Sequence, residues 1–116
     1  MKNFLAVYTG AQESMARWNA LPEHERQKRQ AEGLAAWKTW AERNKNAIVQ
    51  AGSPLGRTKL VSNSGIADTR NNLAAYTVVQ AESHDAAAKL FEGHPHFTLF
   101  PGDGVEIMEC LPTPSA

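Results

Sequence analysis

Two stretches of this chain are strand-like and apolar on both faces, and they restrict the possible folds more than any other feature. Lys2–Thr9 is rich in β-favouring side chains and ends at a glycine, and Leu73–Ala81 has the same character. Because alternate residues of a strand point to opposite faces of a sheet, both faces of these strands need cover. The apolar positions are Phe4, Leu5, Ala6, Val7, Tyr8, Ala75, Tyr76, Val78 and Val79.

The segment between these two strands combines helical and strand patterns. Helices are predicted for Gln12–Asn19 and Pro22–Asn44. Strands are predicted for Ala47–Ala51 and Thr58–Ser62, which we expect to form a hairpin or a loosely connected pair. The connections are expected to be a turn-rich segment at Gly52–Gly56 and a polar, irregular surface loop at Asn63–Asn72.

The stretch Ser83–Leu111 is predicted to form a helix, an elbow and a final strand. Ser83 is a good N-cap residue, and Gly93 followed by Pro95 ends the helix after about ten residues. A Gly-Asp-Gly turn then leads into a strand at Val105–Leu111. The order strand, long helix, strand, strand, short helix, strand is the split βαβ pattern, so we predict an α+β, ferredoxin-like fold with an antiparallel sheet.

The length and the two-faced strands together predict a homodimer. A chain of 116 residues is expected to form a single domain, residues 1–116. The helices of a ferredoxin-like fold cover only one face of the sheet, so the other apolar face would be left exposed. A second copy related by a twofold axis covers it most simply. We therefore predict a dimeric α/β barrel made of two facing sheets.

Charge and cysteine content argue against several classes of partner. Twelve basic and twelve acidic side chains cancel, so the excess of positive charge that nucleic acids or anionic membranes attract is missing. The apolar run Phe4–Tyr8 is too short to cross a membrane. The single cysteine, Cys110, has no partner for an internal disulfide, which fits a reducing compartment. We expect a cytoplasmic protein.

Three motifs resemble the YCII-related proteins, which include a group named for a DGPF motif. They are the opening strand KNFLAVY, the segment GSPLG, and the closing pattern AAAKLFEGHPHF…GDGVEIMECLP. The resemblance implies a small dimeric α/β barrel with a pocket, more firmly than it implies a reaction. GSPLG departs from the family, because DGPF-type members carry Asp-Gly-Pro-Phe and an acidic residue there. The insertion-like segment Asn63–Asn72 also differs.

His94 and His96 are the best candidates for catalysis. They flank Pro95 at the elbow, where a neutral imidazole would act as a general acid or base, oriented by Asp103 or Glu106. The family resemblance favours His94, because His-Pro is frequent at this junction. The alternative interpretation is structural: His94 caps the C-terminus of the helix, and His96 lies at a strand edge in water.

Aromatic side chains supply candidate pocket walls. Trp37 and Trp40 share one stripe of the long helix with Gly33, which suggests close approach of the helix to another backbone. Two tryptophans at this spacing either stack on a ligand or, more commonly, belong to the core. The pocket candidates are Trp37, Trp40, Tyr8, Tyr76 and Ser53.

No metal or cofactor is expected, because the four histidines and the lone cysteine lack metal-ligand spacings and no nucleotide-binding motif occurs. The first hypothesis is therefore cofactor-free chemistry on a small organic molecule, with His94 as acid or base. The alternative is a non-catalytic module that binds a metabolite or a partner protein. A third hypothesis is a dimer without a small-molecule role, in which the elbow is structural.

Overall fold

The computed structural model describes residues 1–114, which contain six strands and four helices. The strands are β1 (Lys2–Thr9), β2 (Ile48–Pro54), β3 (Thr58–Ser62), β4 (Gly65–Thr69), β5 (Leu73–Ala81) and β6 (Gly104–Glu109). The helices are α1 (Gln12–Asn19), α2 (Glu23–Arg43), α3 (His84–Lys89) and α4 (Pro95–Thr98).

Four of the strands form one antiparallel sheet in the order β2-β5-β1-β6. Strand β1 is central, and β2 and β6 are the two edges. Helix α2 lies in the connection from β1 to β2, and α3 and α4 lie in the connection from β5 to β6. This is the split βαβ arrangement, so the predicted ferredoxin-like α+β fold is confirmed.

The core lies between the helices and one face of the sheet. Phe4, Ala6 and Tyr8 of β1 are fully buried there. Trp40 of α2 packs against them and donates its indole N–H to the Leu90 carbonyl oxygen at 2.7 Å. Burying each large apolar side chain stabilises the fold by roughly 1.5 to 3 kcal/mol. The remaining core residues are Val79, Ala81, Ala87 and Phe91.

The opposite face of the sheet carries the alternate residues of the same strands. Leu5 lies opposite Val78 on one neighbouring strand and Met108 on the other, facing away from the core. The core contacts of the helices lie on the first face, and the Met108 side chain is 43% exposed. On this second face Val7 is buried and Leu5 and Val78 are half-buried. The two-faced pattern therefore leaves this largely apolar face only partly covered within a single described chain.

The connection between β2 and β5 differs from the sequence prediction. Ala47–Ala51 was expected to pair with Thr58–Ser62, but β2 continues to Pro54 and pairs with β5 instead. The first part of the expected turn at Gly52–Gly56 belongs to β2, which continues to Pro54. Gly52 adopts a φ of 76° where the pairing with β5 is irregular, and the strand continues past it. A glycine and a proline that signal a turn in the sequence therefore mark a bulge.

The expected polar loop at Asn63–Asn72 is also wrong. Half of it, Gly65–Thr69, forms β4, which pairs with β3 as a separate two-stranded hairpin. Gly65, at φ 106°, begins β4 directly after the turn, and a positive φ of this kind is what a tight hairpin requires.

The elbow after β5 also differs in detail. Helix α3 is shorter than expected, because the N–H groups of residues 90–92 donate to carbonyls three residues back and not four. The residues around Pro95 form α4, with His94 as N-cap and Pro95 as first residue, a favourable position for proline. Strand β6 ends at Glu109, two residues before the expected end at Leu111, and Cys110 is exposed. None of the helices in residues 1–114 is both long and apolar enough to cross a membrane.

Candidate functional site

A cavity of about 560 Å³ opens between helix α2 and the β2–β5 side of the sheet. Binding sites for small molecules measure roughly 300 to 1,000 Å³, so this volume suits a compact ligand. Five of the residues singled out from the sequence line the cavity, namely Tyr8, Trp37, Tyr76, Ser53 and His96. The structure thus brings together residues from β1, α2, β5, β2 and α4.

Two residues expected at the site do not line this cavity. Trp40 is buried in the core, and its indole N–H is already bonded to the Leu90 carbonyl oxygen. His94 is only 1% exposed and is enclosed by aromatic rings. Of the two tryptophans on the stripe, therefore, one faces the cavity and the other is core, as the alternative interpretation of the stripe allowed.

The edge of the cavity at β2 depends on Gly52. A β-carbon at this position would overlap the carbonyl oxygen of Tyr76, and the φ of 76° is one that side chains rarely adopt. The close approach lets β2 bend inwards, so that Ser53 and Pro54 reach the cavity wall. The glycine of GSPLG thus shapes the site through the backbone.

At Gly33, helix α2 packs against the side chain of Phe100, whereas the sequence predicted a close approach to another backbone. The Phe100 ring fills the space that a β-carbon of Gly33 would occupy. Phe100 also lies 6.1 Å from Trp37 between ring centroids, and both rings line the cavity. The missing side chain of Gly33 therefore allows Phe100 to form part of the wall.

Tyr8 lies at the floor of the cavity in a chain of hydrogen bonds. The Thr77 hydroxyl donates to the Ala51 carbonyl oxygen at 3.1 Å, so the Tyr8 hydroxyl donates to Thr77 Oγ1 at 3.0 Å. Burial raises the pKa of Tyr8 to about 12, although the bond to Thr77 opposes this. Tyr8 is therefore a neutral, fully buried phenol.

His96 presents a defined tautomer at the cavity. Its Nε2 lies 2.8 Å from the Thr9 carbonyl oxygen, and a carbonyl only accepts, so Nε2 carries the proton. Nδ1 of the neutral ring is then an acceptor. Burial lowers the pKa of His96, although the Thr9 hydrogen bond and the charge of Asp103 oppose the effect. Gly102 packs against the ring so closely that no β-carbon would fit.

His94 is neutral and enclosed. Its Nδ1 accepts the backbone N–H of His96 at 3.0 Å, which caps the start of α4. Its Nε2 is buried without a hydrogen-bond partner among the described residues. The Trp37 and Trp40 ring centroids lie 4.5 and 4.7 Å from the His94 ring, edge-on. Burial, followed by repulsion from His96, lowers the pKa of His94 to about 4.

Neither expected carboxylate forms a hydrogen-bonded dyad with a histidine. Asp103 Oδ1 accepts from the Ser14 hydroxyl at 2.5 Å and Oδ2 from the Ala11 N–H at 2.6 Å, so Asp103 caps α1. The bond from Ser14, followed by that from Ala11, lowers the pKa of Asp103. Its backbone N–H donates to the Thr9 carbonyl oxygen, which also accepts from His96. Glu106 lies opposite Val7 and is exposed, on the face away from the core.

Nine of the fourteen cavity residues were not identified from the sequence, among them Leu34, Lys38, Thr77 and Phe100. Leu34 and Lys38 flank Trp37 on α2, so the helical period around Trp37 was a usable signal. Thr77 lies on the helix-facing side of β5 together with Ala75 and Val79, so the alternation along the strand was a usable signal. Phe100 depends on the path of the chain after α4, for which the sequence carries no periodic signal. Within residues 1–114, no cluster of three or more histidine, cysteine or acidic residues could hold a metal ion.

Comparison with known proteins gives a likeness of fold. No protein-family model matches this sequence, and no curated protein sequence matches it. Among solved structures, the chain is similar to 5-chloro-2-hydroxyhydroquinone dehydrochlorinase (TftG) from Burkholderia phenoliruptrix AC1100, in complex with 2,5-dihydroxybenzoquinone. The two share 18% sequence identity with a TM-score of 0.53, over 90% of this chain and 89% of that one.

This likeness extends over nearly the whole of both chains and supports the fold-level part of the resemblance found in the sequence. The chain therefore has the ferredoxin-like fold of the dimeric α/β barrels. At 18% identity the likeness concerns the fold alone.

Proposed function

We propose that this chain binds a small ring compound in the cavity beside α2 and that His96 removes a proton from it. The observation that carries the proposal is the orientation of His96. Its Nε2–H is held by the Thr9 carbonyl oxygen, while the ring lies at the cavity wall with Nδ1 as a free acceptor. This is the arrangement that a general base requires, provided the ring is neutral near pH 7.

The electrostatics of the site favour the basic form of His96. Burial lowers its pKa, so the imidazole is uncharged at neutral pH and Nδ1 keeps its lone pair. The proton leaves an acidic hydroxyl or C–H group of the ligand and moves to Nδ1. Lys38 at the cavity wall supplies a positive charge that stabilises the resulting anion.

The cavity walls favour a flat ligand. Trp37, Tyr76 and Phe100 offer aromatic surfaces, against which a ring packs. The Tyr8 hydroxyl, whose proton is given to Thr77, lies beneath this surface and is fully buried. TftG, which shares the fold, acts on a chlorinated hydroxyhydroquinone and was solved with 2,5-dihydroxybenzoquinone. A hydroxylated ring of this kind is the ligand class we propose.

In this proposal, His94 is a positioning residue and not the acid or base that the sequence favoured. It does not line the cavity, and its Nδ1 accepts the backbone N–H of His96. It thereby fixes the start of α4 and, through it, the direction of the His96 ring.

The test uses 2,5-dihydroxybenzoquinone as a probe. Proton NMR in D₂O follows the exchange of its ring-bound hydrogens, in which a deuteron from solvent adds to a ring carbon and a base then removes the proton from it. Tryptophan fluorescence follows binding. We expect the unmodified chain to bind the probe and accelerate exchange, and His96→Gln to abolish the acceleration. His24→Gln, on the exposed surface of α2, is the matched control and should behave as the unmodified chain. Equal exchange rates for His96→Gln and the unmodified chain would refute the role of His96.

The second candidate is a non-catalytic module that uses the same cavity to hold a metabolite. The largely apolar walls support binding without requiring chemistry. Binding of the probe without accelerated exchange, in the unmodified chain and in His96→Gln alike, would favour this candidate.

We further propose that the chain belongs to the YCII-related group and acts as a cytoplasmic homodimer of one domain, residues 1–116. The fold likeness and the open apolar face of the sheet support the dimer. Sedimentation equilibrium tests it: a monomer at micromolar concentration would contradict the proposal.

A further inference from the structure

The hairpin β3–β4, residues 58–69, stands apart from the rest of the chain; we call it the arm. Its strands pair with each other and belong to a sheet of their own. Every residue from 59 to 73 is exposed. The chain measures 55 × 43 × 18 Å with a radius of gyration of 16.2 Å, whereas a compact chain of 100 residues has about 13 Å. The arm therefore projects from the body.

The arm carries apolar side chains that nothing in its own described chain covers. Val61 lies opposite Ile66, and these side chains are 71% and 72% exposed. Leu60, on the other face of the arm, is half exposed. A two-stranded hairpin is marginally stable by itself in water, and the exposed Lys59–Asp68 ion pair adds little. A surface that buries this apolar tip would account for its composition.

The distribution of charge along the chain indicates which surface the arm would bind. The arm and its two ends, residues 55–72, carry three basic side chains against one acidic: Arg57, Lys59 and Arg70 against Asp68. The chain as a whole has no net charge. Residues 82–109 hold six acidic side chains and one lysine: Glu82, Asp85, Glu92, Asp103, Glu106 and Glu109, with Lys89. Opposite charges on two surfaces steer association and fix its register.

In the described chain the arm is not packed on residues 82–109, since every residue from 59 to 73 is exposed. The arm continues from β2, which is one edge of the sheet, whereas β6 is the other edge. Three strand spacings, or about 14 Å, separate these edges. A second copy of the chain presents its acidic surface without this restriction.

We propose that the arm of one chain docks on the acidic surface, residues 82–109, of a second copy. The proposal rests on the homodimer proposed above and goes beyond it by assigning the arm a place in the interface. The apolar tip supplies buried contacts, and the basic residues at its base pair with acidic side chains of the second copy. Asp103 and Glu109 are the least suited to this pairing, because Asp103 already accepts from Ser14 and Ala11 and Glu109 Oε1 lies 3.9 Å from Lys2 Nζ.

Photo-crosslinking tests the placement. p-Benzoylphenylalanine replaces Ile66 at the arm tip, or Glu32 on the exposed face of α2 as a matched control, in a protein whose oligomeric state is first measured by sedimentation. We expect a covalent dimer from the Ile66 position, with the crosslink mapped by mass spectrometry to residues 82–109, and none from the Glu32 position.

The outcomes separate this proposal from the proposed homodimer. A dimer in sedimentation whose arm crosslinks elsewhere, or not at all, overturns the docking of the arm and leaves the homodimer standing. A monomer overturns both. Charge reversal gives an independent measurement: Arg57→Glu should raise the dimer dissociation constant roughly tenfold. Lys28→Glu, an equal change on exposed α2, should leave it unchanged; equal effects of the two variants would overturn the role of charge.

Discussion

His94 and His96 are two residues apart, and their imidazoles lie in different surroundings. His94 is packed edge-on against two tryptophans, whereas His96 reaches the cavity. The His-Pro-His motif drew attention to both residues from the sequence. Which ring meets the cavity depends on the short helix α4, whose first residue is Pro95 and whose N-cap is His94 itself. The sequence predicted an elbow there and so carried no information about the helical direction of either side chain.

The buried His94 makes stability depend on pH. Its pKa is lowered to about 4 in the folded chain, against an ordinary value of 6.5. Between these values the unfolded chain binds more protons, so the stabilisation is complete above about pH 6.5 and is lost as the pH falls toward 4. The loss amounts to as much as roughly 3 kcal/mol. Urea denaturation across this range should show the free energy of unfolding rising with pH.

A variant separates His94 from the other titrating groups. His94→Asn keeps an N-cap acceptor but has no ring to protonate, so its free energy of unfolding should rise less steeply with pH. His96, whose pKa is also lowered, contributes to the slope that remains. An unchanged slope in His94→Asn would show that the dependence arises elsewhere.

At the scale of the element, strand β2 owes its shape to Gly52. Gly52→Ala would place a β-carbon onto the Tyr76 carbonyl oxygen and force a side chain into a positive φ. We expect a loss of stability above about 1 kcal/mol and weaker binding of any cavity ligand, measured by thermal unfolding and titration.

Gly56 is the matched control for Gly52, since it lies four residues further along the same connection. No atom lies within 4 Å of the position its β-carbon would take. Gly56→Ala should therefore leave stability unchanged or raise it slightly. Equal losses from the two variants would contradict the role given to the bulge.

Local signals predicted the elements with a clear apolar period and also β3, whose bounds agree with the expected Thr58–Ser62, but they missed β4 and the end of β2. Strand β1 and helix α2 have clear periods, and their observed bounds lie within a residue of the expected ones. The sequence predicted a turn for the last part of β2, because Gly52 and Pro54 are typical turn residues. Its strand conformation depends on long-range pairing with β5, which a local pattern does not show. Strand β4 was read as a loop, because its residues are all exposed and show no apolar alternation against a core.

For the whole molecule, the structure identifies which face of the sheet is free to meet a partner. Val78 lies on the open face, whereas Phe4 is completely buried against the helices. Val78→Lys should therefore give a folded monomer, because the charge would be buried only in the dimer. Phe4→Asp should unfold the subunit itself, at a cost of several kcal/mol.

Circular dichroism and sedimentation distinguish these outcomes. Native-like secondary structure with monomeric mass is expected for Val78→Lys, and loss of secondary structure or aggregation for Phe4→Asp. A dimeric Val78→Lys would contradict the assignment of the open face. The two-faced apolar pattern predicted from sequence that both faces need cover, but it could not assign the faces, since both alternating sets of residues in β1 are apolar.

The ladder between β2 and β5 closes before the arm begins. Pro54 is in register with Ala75, and the Leu55 N–H donates to the Ala74 carbonyl oxygen at 2.9 Å. The arm therefore begins beyond the end of the four-stranded sheet, and substitutions or changes of length in it do not disturb the cavity. We therefore expect relatives to differ in the length and composition of the arm while keeping the same cavity.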